Sequence, residues 1–170
     1  MLDRIPSTQG HTLPELLAVF SIAAIIAGST LPAFRNLLQD SRRNAAITTT
    51  LHAVNLARQL AAIRDEPIRL CGTWDQQECS GRTDWSGGLL LADEGNLLRR
   101  SMPVTNPARA PRIRSNRAAV SFEGGSGHAS PATLTICDRR GSHAARAIII
   151  SRSGRPRISD RDASDRPLTC

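Results

Sequence analysis

The sequence contains no lysine, and all 22 basic residues are arginine. A P-loop needs a lysine for the phosphates, and a Schiff-base enzyme needs a lysine amine, so both classes are excluded. The GxSxG, HExxH and EF-hand motifs are absent too, and serine, histidine and aspartate show no catalytic spacing. We therefore expect a protein that is not an enzyme and that uses no cofactor.

The sequence also lacks closely spaced metal ligands. It has no CxxC pair, and its four histidines are scattered at His11, His52, His128 and His143. A structural zinc site needs cysteine and histidine ligands at short spacings, so no metal site is expected. An even number of cysteines in a small domain indicates disulfides formed in an oxidising compartment instead.

Four cysteines allow three pairings. Cys71 and Cys79 flank a short segment rich in turn residues, which favours a local bridge between them. That bridge leaves Cys137, at the end of a strand-like run, to pair with Cys170 at the last position of the sequence. The second bridge would hold the C-terminal tail.

Charge is missing from one long apolar run. No side chain from Leu16 to Phe34 is charged, and about 20 apolar helical residues cross a hydrocarbon core of roughly 30 Å. The run predicts a transmembrane helix over residues 11–34, kinked at Pro32. Glu15 lies at its edge, where a carboxylate costs on the order of a few kcal/mol, so it is a candidate functional residue. A signal-anchor helix with an acid at the headgroup level is the alternative.

A helical pattern continues over residues 35–66 and stops before Pro67. One stripe of this amphipathic segment is expected to pack on the globular domain, and a second strip lies opposite, which suggests burial against other helices in an assembly. The first stripe consists of Ala45, Thr49, Ala53, Leu56, Leu60 and Ile63, and the second of Ile47, Leu51 and Val54.

Short β-type runs separated by turn residues fill residues 67–170. Strands are predicted at 87–93, 118–123, 132–138 and 146–154, with a weaker one at 67–72. The expected fold class is α+β, with a long N-terminal helix packed on a small antiparallel β domain.

The start of the chain resembles type IV pilins and type II secretion pseudopilins. Gly10 is followed by HTLPE and then by the apolar run. In that family a membrane peptidase cuts after the glycine and methylates the new amino terminus. The resemblance implies a leader over residues 1–10, cleavage between Gly10 and His11, and N-methylation of His11. It also implies that Glu15 meets the amino terminus of a neighbouring subunit, because a carboxylate in lipid is tolerable when paired with a cation.

The rest of the chain resembles the GspH/FimT subfamily of minor pilins. The segments that carry this resemblance are LCGTWDQQEC, DWSGGLLLAD, TLTICD and IIISRSGRPR. It implies a type IV pilin-like minor component that primes or tips a filament. It further implies a single-pass protein of the bacterial inner membrane with a periplasmic C-terminal domain, extracellular once assembled. The implied partners are other pilins, the prepilin peptidase and the inner membrane.

Within this subfamily, FimT-type proteins are implicated in DNA uptake through a Gly-Arg-x-Arg motif. Here the motif is Gly154, Arg155, Pro156 and Arg157. The alternative is a turn whose exposed arginines bind nothing in particular. Six arginines and no acid lie between Arg99 and Arg117, as expected of a nucleic-acid surface. We expect non-specific binding of double-stranded DNA by the soluble domain, from about residue 42 onward, with secondary contacts from Arg112, Arg114 and Arg152.

Two functions follow from these features. One is a minor type IV pilin with a DNA-binding face that serves uptake of DNA in natural transformation. The other is a minor H-type pseudopilin of the type II protein secretion system. A secretion pseudopilin needs neither the Gly-Arg-x-Arg turn nor the acid-free arginine run, so the first function is favoured.

Overall fold

The computed structural model describes residues 12–93, 100–103 and 110–170. The chain forms two compact units, of which one ends at Leu38 and the other comprises Gln39–Cys170. Helix α1, Leu13–Arg64, contributes to both. Because eight antiparallel strands follow the helix within these described residues, the α+β class predicted from the sequence is confirmed.

The first unit is the N-terminal part of α1. The Thr12 carbonyl oxygen accepts hydrogen bonds from the N–H groups of Glu15 and Leu16, at 3.1 and 3.2 Å, and so begins the helix. Pro14 lies in the first turn, where a missing N–H costs no helical hydrogen bond. An 18-residue window of α1 has a mean hydropathy of 2.0 and is not buried. By length and composition this stretch could cross a membrane.

The second unit contains two four-stranded antiparallel sheets. Sheet A has the strand order β3-β2-β1-β5, and sheet B has the order β4-β6-β7-β8. The strands are β1 Ile68–Gly72, β2 Gly88–Asp93, β3 Arg100–Pro103, β4 Arg112–Ser115, β5 Ala119–Phe122, β6 Ala132–Cys137, β7 Arg146–Ile150 and β8 Pro156–Ser159.

The inner faces of both sheets and the C-terminal half of α1 share one hydrophobic core. Trp85 and Phe122 are its largest members, and both are fully buried. The Trp85 indole N–H donates to the Arg82 carbonyl oxygen at 3.1 Å, which satisfies the one polar atom of this side chain. The core strands alternate between buried and outward residues; in β4, for example, Ile113 and Ser115 are buried and Arg112 and Arg114 are exposed.

The buried face of the helix differs from the predicted one. The residues of α1 that are buried are Ile47, Thr50, Ala53, Val54, Ala57 and Ala61. Ala45, Thr49 and Ile63 of the predicted stripe are exposed, so that prediction was wrong. Ile47 and Val54, which were predicted to face other helices, lie in the core of the domain instead. The physical reason is that small residues let the helix approach the sheets closely, although they carry little of the hydropathy signal.

Three strands were missed by the sequence analysis, namely β3, β4 and β8. The prediction of a strand over 146–154 was also too long, because β7 ends at Ile150 and a turn and another strand follow. The Gly-Arg-x-Arg segment therefore does not follow the last strand. It closes a hairpin between the last two.

A second, smaller hydrophobic cluster lies on the outer face of sheet B. It consists of Cys137, Ala145, Ala147, Ile149 and Leu168. Leu168 belongs to the C-terminal tail, and a disulfide joins Cys137 to Cys170 beside it. The other disulfide joins Cys71 to Cys79 across the loop that follows β1. This is the pairing that the spacing of the cysteines favours.

Candidate nucleic-acid interface

The Gly-Arg-x-Arg segment forms the connection between β7 and β8. The Gly154 N–H donates to the Ser151 carbonyl oxygen at 2.9 Å, and the Ser151 N–H donates to the Arg155 carbonyl oxygen at 3.1 Å. The Ser151 hydroxyl donates to the same Arg155 oxygen at 3.1 Å and lies 2.9 Å from the Ser153 hydroxyl. These bonds fix the backbone of the hairpin before any ligand arrives.

Gly154 is buried and has a φ of 72°, a left-handed conformation that favours glycine. A Cβ atom there would collide with the Gly127 carbonyl oxygen and would lie 3.0 Å from Cδ of Arg58. Gly154 therefore lets its backbone approach Gly127 and Arg58 of the same domain closely.

Three arginines project from the hairpin. Arg152, Arg155 and Arg157 are all exposed. Across the described ranges 12–93, 100–103 and 110–170, none of the three guanidinium groups has an ion-pair or hydrogen-bond partner. Their positive charge is therefore available to an anionic ligand.

Pro156 stiffens the backbone between Arg155 and Arg157. It pairs with Ile150, the residue pair next to the hydrogen-bonded Ser151 and Arg155. Neighbouring pairs in an antiparallel ladder alternate, so Pro156 occupies a position that makes no hydrogen bond to β7. Its missing N–H faces the free edge of sheet B, where proline is tolerated and where it discourages pairing with another strand.

Arg112 and Arg114 lie on β4, at the opposite edge of sheet B from β8. The register places Arg114 in line with Thr135, Ala147 and Ser159, and Arg157 in line with Ile149 and Thr133. Side chains in line share a face, so Arg112, Arg114 and Arg157 lie on the outer face of the sheet. Three strand spacings, roughly 14 Å, separate the two edges.

The C-terminal tail crosses this outer face. A groove of about 370 Å³ separates the tail from the sheet, with Arg114, Thr133 and Thr135 on one side and Asp162–Leu168 on the other. Leu168 packs with Ala147 and Ile149. The structure thus brings Arg152, Arg155 and Arg157 together on one hairpin, and it leaves Arg112 and Arg114 as a separate pair.

Three arginines near the C-terminus are bonded within the domain, and two of them are paired with acids. Arg161 and Arg166 lie 3.7 and 2.8 Å from carboxylate oxygens of Asp165 and Asp162 in the tail. The Arg146 side chain donates to the Ala145 carbonyl oxygen at 2.8 Å. The charge of the tail is therefore less available than its composition suggests.

Arg140 belongs to an ion-pair cluster between α1 and the segment after β6. Its guanidinium lies 2.6 Å from Asp138 and 2.7 Å from Asp40, and Arg43 lies 2.8 Å from Asp40. The hydrogen bond from Arg140 lowers the pKa of Asp40. Burial raises the pKa of Asp138, but hydrogen bonds from the side chain and backbone N–H of Arg140 outweigh it, and the net pKa is lowered. This cluster is structural and is not free to bind a ligand.

The remaining predicted site residues lie at the N-terminus or in the arginine-rich run. Glu15 is exposed in the first turn of α1, where a carboxylate complements the positive end of the helix dipole. Gly10, His11, Arg99 and Arg109 lie outside the described residues.

Sequence reasoning missed Arg58, whose side chain lies against Gly127 and Gly154. Its position on α1 gave no signal, because only the packing of the helix on the hairpin brings it there.

A family model described as "Type II transport protein GspH" matches residues 46–154, more than half of the chain. The chain belongs to the GspH family. The matched region of this GspH-family protein ends at Gly154, immediately before Arg155 and Arg157. No curated protein matches the sequence.

Two crystal structures of the type IV minor pilin FimU from Pseudomonas aeruginosa (strain PAO1) have the same fold as this GspH-family protein. Both are 18% identical in sequence, with TM-scores of 0.53 and 0.54. They cover 77% and 80% of this chain and 98% and 97% of their own chains. At this identity the match establishes the type IV pilin fold and leaves the function of individual residues to the geometry described above.

Proposed function

We propose that this pilin-like protein is a minor type IV pilin that binds double-stranded DNA without sequence preference and serves its uptake. The observation that carries the proposal is the hairpin with three exposed, unpaired arginines, Arg152, Arg155 and Arg157. Exposed arginines on a stiff turn suit the phosphate backbone, whose contacts supply most of the affinity of non-specific binding. Contacts to phosphates position a protein on the duplex but carry no sequence information, so no sequence preference is expected.

The hairpin is well suited to binding because its backbone is held by hydrogen bonds within the turn and by Pro156. A rigid site loses little entropy when a ligand binds. Arginine also offers two parallel donors to a phosphate, which lysine cannot. A few contacts of this kind give modest affinity, roughly micromolar at low salt.

A titration of the full-length protein in non-ionic detergent with a fluorescent DNA duplex at low salt tests this proposal. We expect Arg155→Gln with Arg157→Gln to weaken binding about tenfold or more. Arg82→Gln is the matched control. Arg82 is also exposed, and it lies in the loop after β1, in which the Ser80 N–H donates to the carbonyl oxygen of Gly72, the last residue of that strand. If the wild type and the double variant bind DNA equally, the motif is a turn that does not contribute to DNA binding.

A second function has support of its own. The matching family model is described as a type II transport protein, and the pairing of Arg161 and Arg166 with acids reduces the free charge of the tail. These observations favour a minor pseudopilin of the type II secretion system. If neither the wild type nor the variants bind DNA at low salt, this function takes precedence.

Both functions include the same assembly role. The proposed role is insertion of residues 11–34 in the inner membrane, cleavage between Gly10 and His11, and pairing of Glu15 with the amino terminus of a neighbouring subunit. The position of Glu15 in the first turn of an apolar helix supports it. The domain after the helix would then be periplasmic, and extracellular in an assembled pilus.

Mass spectrometry of the purified protein should find a methylated His11 at the amino terminus. Glu15→Ala should leave the protein in the membrane but impair filament assembly, and normal assembly of this variant would refute the role given to Glu15. An intact Met1 terminus would refute the processing.

A further inference from the structure

Arg58 of α1 lies beside the arginine hairpin. A Cβ atom added at Gly127 would lie 3.0 Å from Cγ of Arg58, and one added at Gly154 would lie 3.0 Å from its Cδ. Both glycines have positive φ values, of 64° and 72°. Two positions that exclude side chains therefore form the space in which the aliphatic part of Arg58 lies.

This arrangement fixes Arg58 relative to the hairpin. The helix is anchored next to it by Ala57 and Ala61, which are fully buried. The Ala61 carbonyl oxygen accepts a hydrogen bond from the Gly125 N–H at 3.1 Å, and the Ala129 N–H donates to the Arg152 carbonyl oxygen at 2.9 Å. The helix, the loop after β5 and the hairpin are thus connected by backbone hydrogen bonds around one arginine.

The charge of Arg58 is not neutralised within the described part of the chain. Its guanidinium group has neither an ion pair nor a hydrogen bond there, and the residue is half-buried, with its aliphatic part against Gly127 and Gly154. The acid of the neighbouring loop, Glu123, is engaged by the Ser126 hydroxyl at 3.4 Å and lies 3.9 Å from Nδ1 of His128. An arginine with a buried stem and a free head is an arrangement that serves an external anion.

We propose that Arg58 is a phosphate-binding residue of the hairpin site, placed there by Gly127 and Gly154. The ligand is a backbone phosphate of the same duplex that Arg155 and Arg157 bind, so this inference rests on the proposed function. It extends the site from one hairpin to two elements, a helix and a hairpin. A side chain at Gly154 would crowd Cδ of Arg58 as well as the Gly127 carbonyl oxygen.

Salt-dependent DNA titrations of the full-length protein in detergent test the inference. Each phosphate contact adds about 0.9 to the slope of log K against log salt. Arg58→Gln should weaken duplex binding about fivefold and lower that slope by about 0.9, whereas the matched Arg82→Gln should change neither. Arg58→Lys keeps the stem and the charge, and it should restore the slope with an affinity between those of the wild type and Arg58→Gln.

The possible results separate the two proposals. If Arg58→Gln behaves like Arg82→Gln while Arg155→Gln with Arg157→Gln loses affinity, the hairpin binds DNA and Arg58 does not. If Arg58→Gln weakens binding with an unchanged slope and Arg58→Lys does not restore it, Arg58 only supports the hairpin, and the inference is overturned. If the double variant binds like the wild type, the proposed function itself fails.

Discussion

At the residue scale, Gly154 has neighbours that leave no room for a side chain. Its missing Cβ faces the Gly127 carbonyl oxygen and the stem of Arg58. The residue also adopts a left-handed conformation, with a φ of 72°. Two separate costs therefore oppose substitution here, one from the backbone conformation and one from the collision.

Comparison with Gly81 separates these costs. Gly81 has a similar φ of 67°, but nothing lies within 4 Å of the position of its Cβ. We expect Gly81→Ala to lower the free energy of unfolding by about 1 kcal/mol, from the left-handed conformation alone. Gly154→Ala should cost about 2 kcal/mol more, because the Gly127 backbone must move. Urea titrations of both variants measure this, and equal costs would show that the close approach is absent.

The ion-pair cluster of Asp40, Arg43, Asp138 and Arg140 gives the domain a defined response to acid. In the folded protein the pKa values of Asp40 and Asp138 lie below their ordinary value of 3.8. The unfolded chain therefore binds more protons near this pH, and stability rises with pH. The contribution is complete above the unfolded value and is lost as the pH falls through the lower, folded values.

Asp138→Asn should remove part of this acid response. Its carboxylate is almost fully buried and accepts hydrogen bonds from Arg140, and hydrogen bonds to charged groups are worth about 1.5–3 kcal/mol. We expect a loss of about 2 kcal/mol at pH 7 and a smaller loss at pH 3. Asp160→Asn, at an exposed position, is the matched control. Parallel stability curves for the wild type and Asp138→Asn between pH 7 and 3 would contradict the assignment.

At the element scale, α1 is packed by its small residues. Ala53, Ala57 and Ala61 are fully buried against the two sheets, while Ile63 is 81% exposed. The sequence predicted the helix and its end before Pro67, because periodicity and a proline are local signals. It could not predict the buried face, since the distance between helix and sheet decides whether alanine or leucine fits, and that distance is set by tertiary packing.

Leucine substitutions on the two faces test the observed packing. Ala53→Leu inserts three carbon atoms into a filled core and should lower the free energy of unfolding by about 1–3 kcal/mol. Ala45→Leu, at an exposed helical position, should change it by less than about 0.5 kcal/mol. Both are measured by urea unfolding in the same detergent. The reverse order of costs would restore the face predicted from the sequence.

The strands likewise divide into those that local sequence signals predicted and those that they missed. β1, β2, β5, β6 and β7 are buried apolar runs and were predicted within a few residues. β4 and β8 carry arginines and a proline, which local rules assign to loops, and both lie at the edges of sheet B. Edge strands keep one side of their backbone in solvent, so polar residues and proline are tolerated there for reasons that the local sequence does not reveal.

The second disulfide holds the C-terminal tail over sheet B. Cys137 and Cys170 are 33 residues apart, and closing a loop of this length stabilises the folded state by about 3–4 kcal/mol. Non-reducing peptide mapping should find Cys71 joined to Cys79 and Cys137 joined to Cys170. A peptide in which Cys71 is joined to Cys137 or Cys170 would contradict the structure.

At the scale of the whole molecule, the distribution of free charge matters more than its sum. The net charge of +7 at pH 7 includes arginines that are paired in the tail and in the cluster around Asp138. The sequence could identify Arg155 and Arg157 as candidates, because a short motif is local, and both are exposed in the structure. It could not distinguish paired from unpaired arginines elsewhere, nor could it place Arg58 beside Gly154, because both depend on contacts between distant segments.

The central claim is that Arg155 and Arg157 contact DNA phosphates, and the salt dependence of duplex binding tests it most directly. Contacts from these two residues, Arg152 and Arg58 predict a slope of about −3.6 in log K against log salt for the wild type. The variant with Arg155→Gln and Arg157→Gln should be flatter by about 1.8, and Arg82→Gln should match the wild type. A double variant with the wild-type slope would contradict the account.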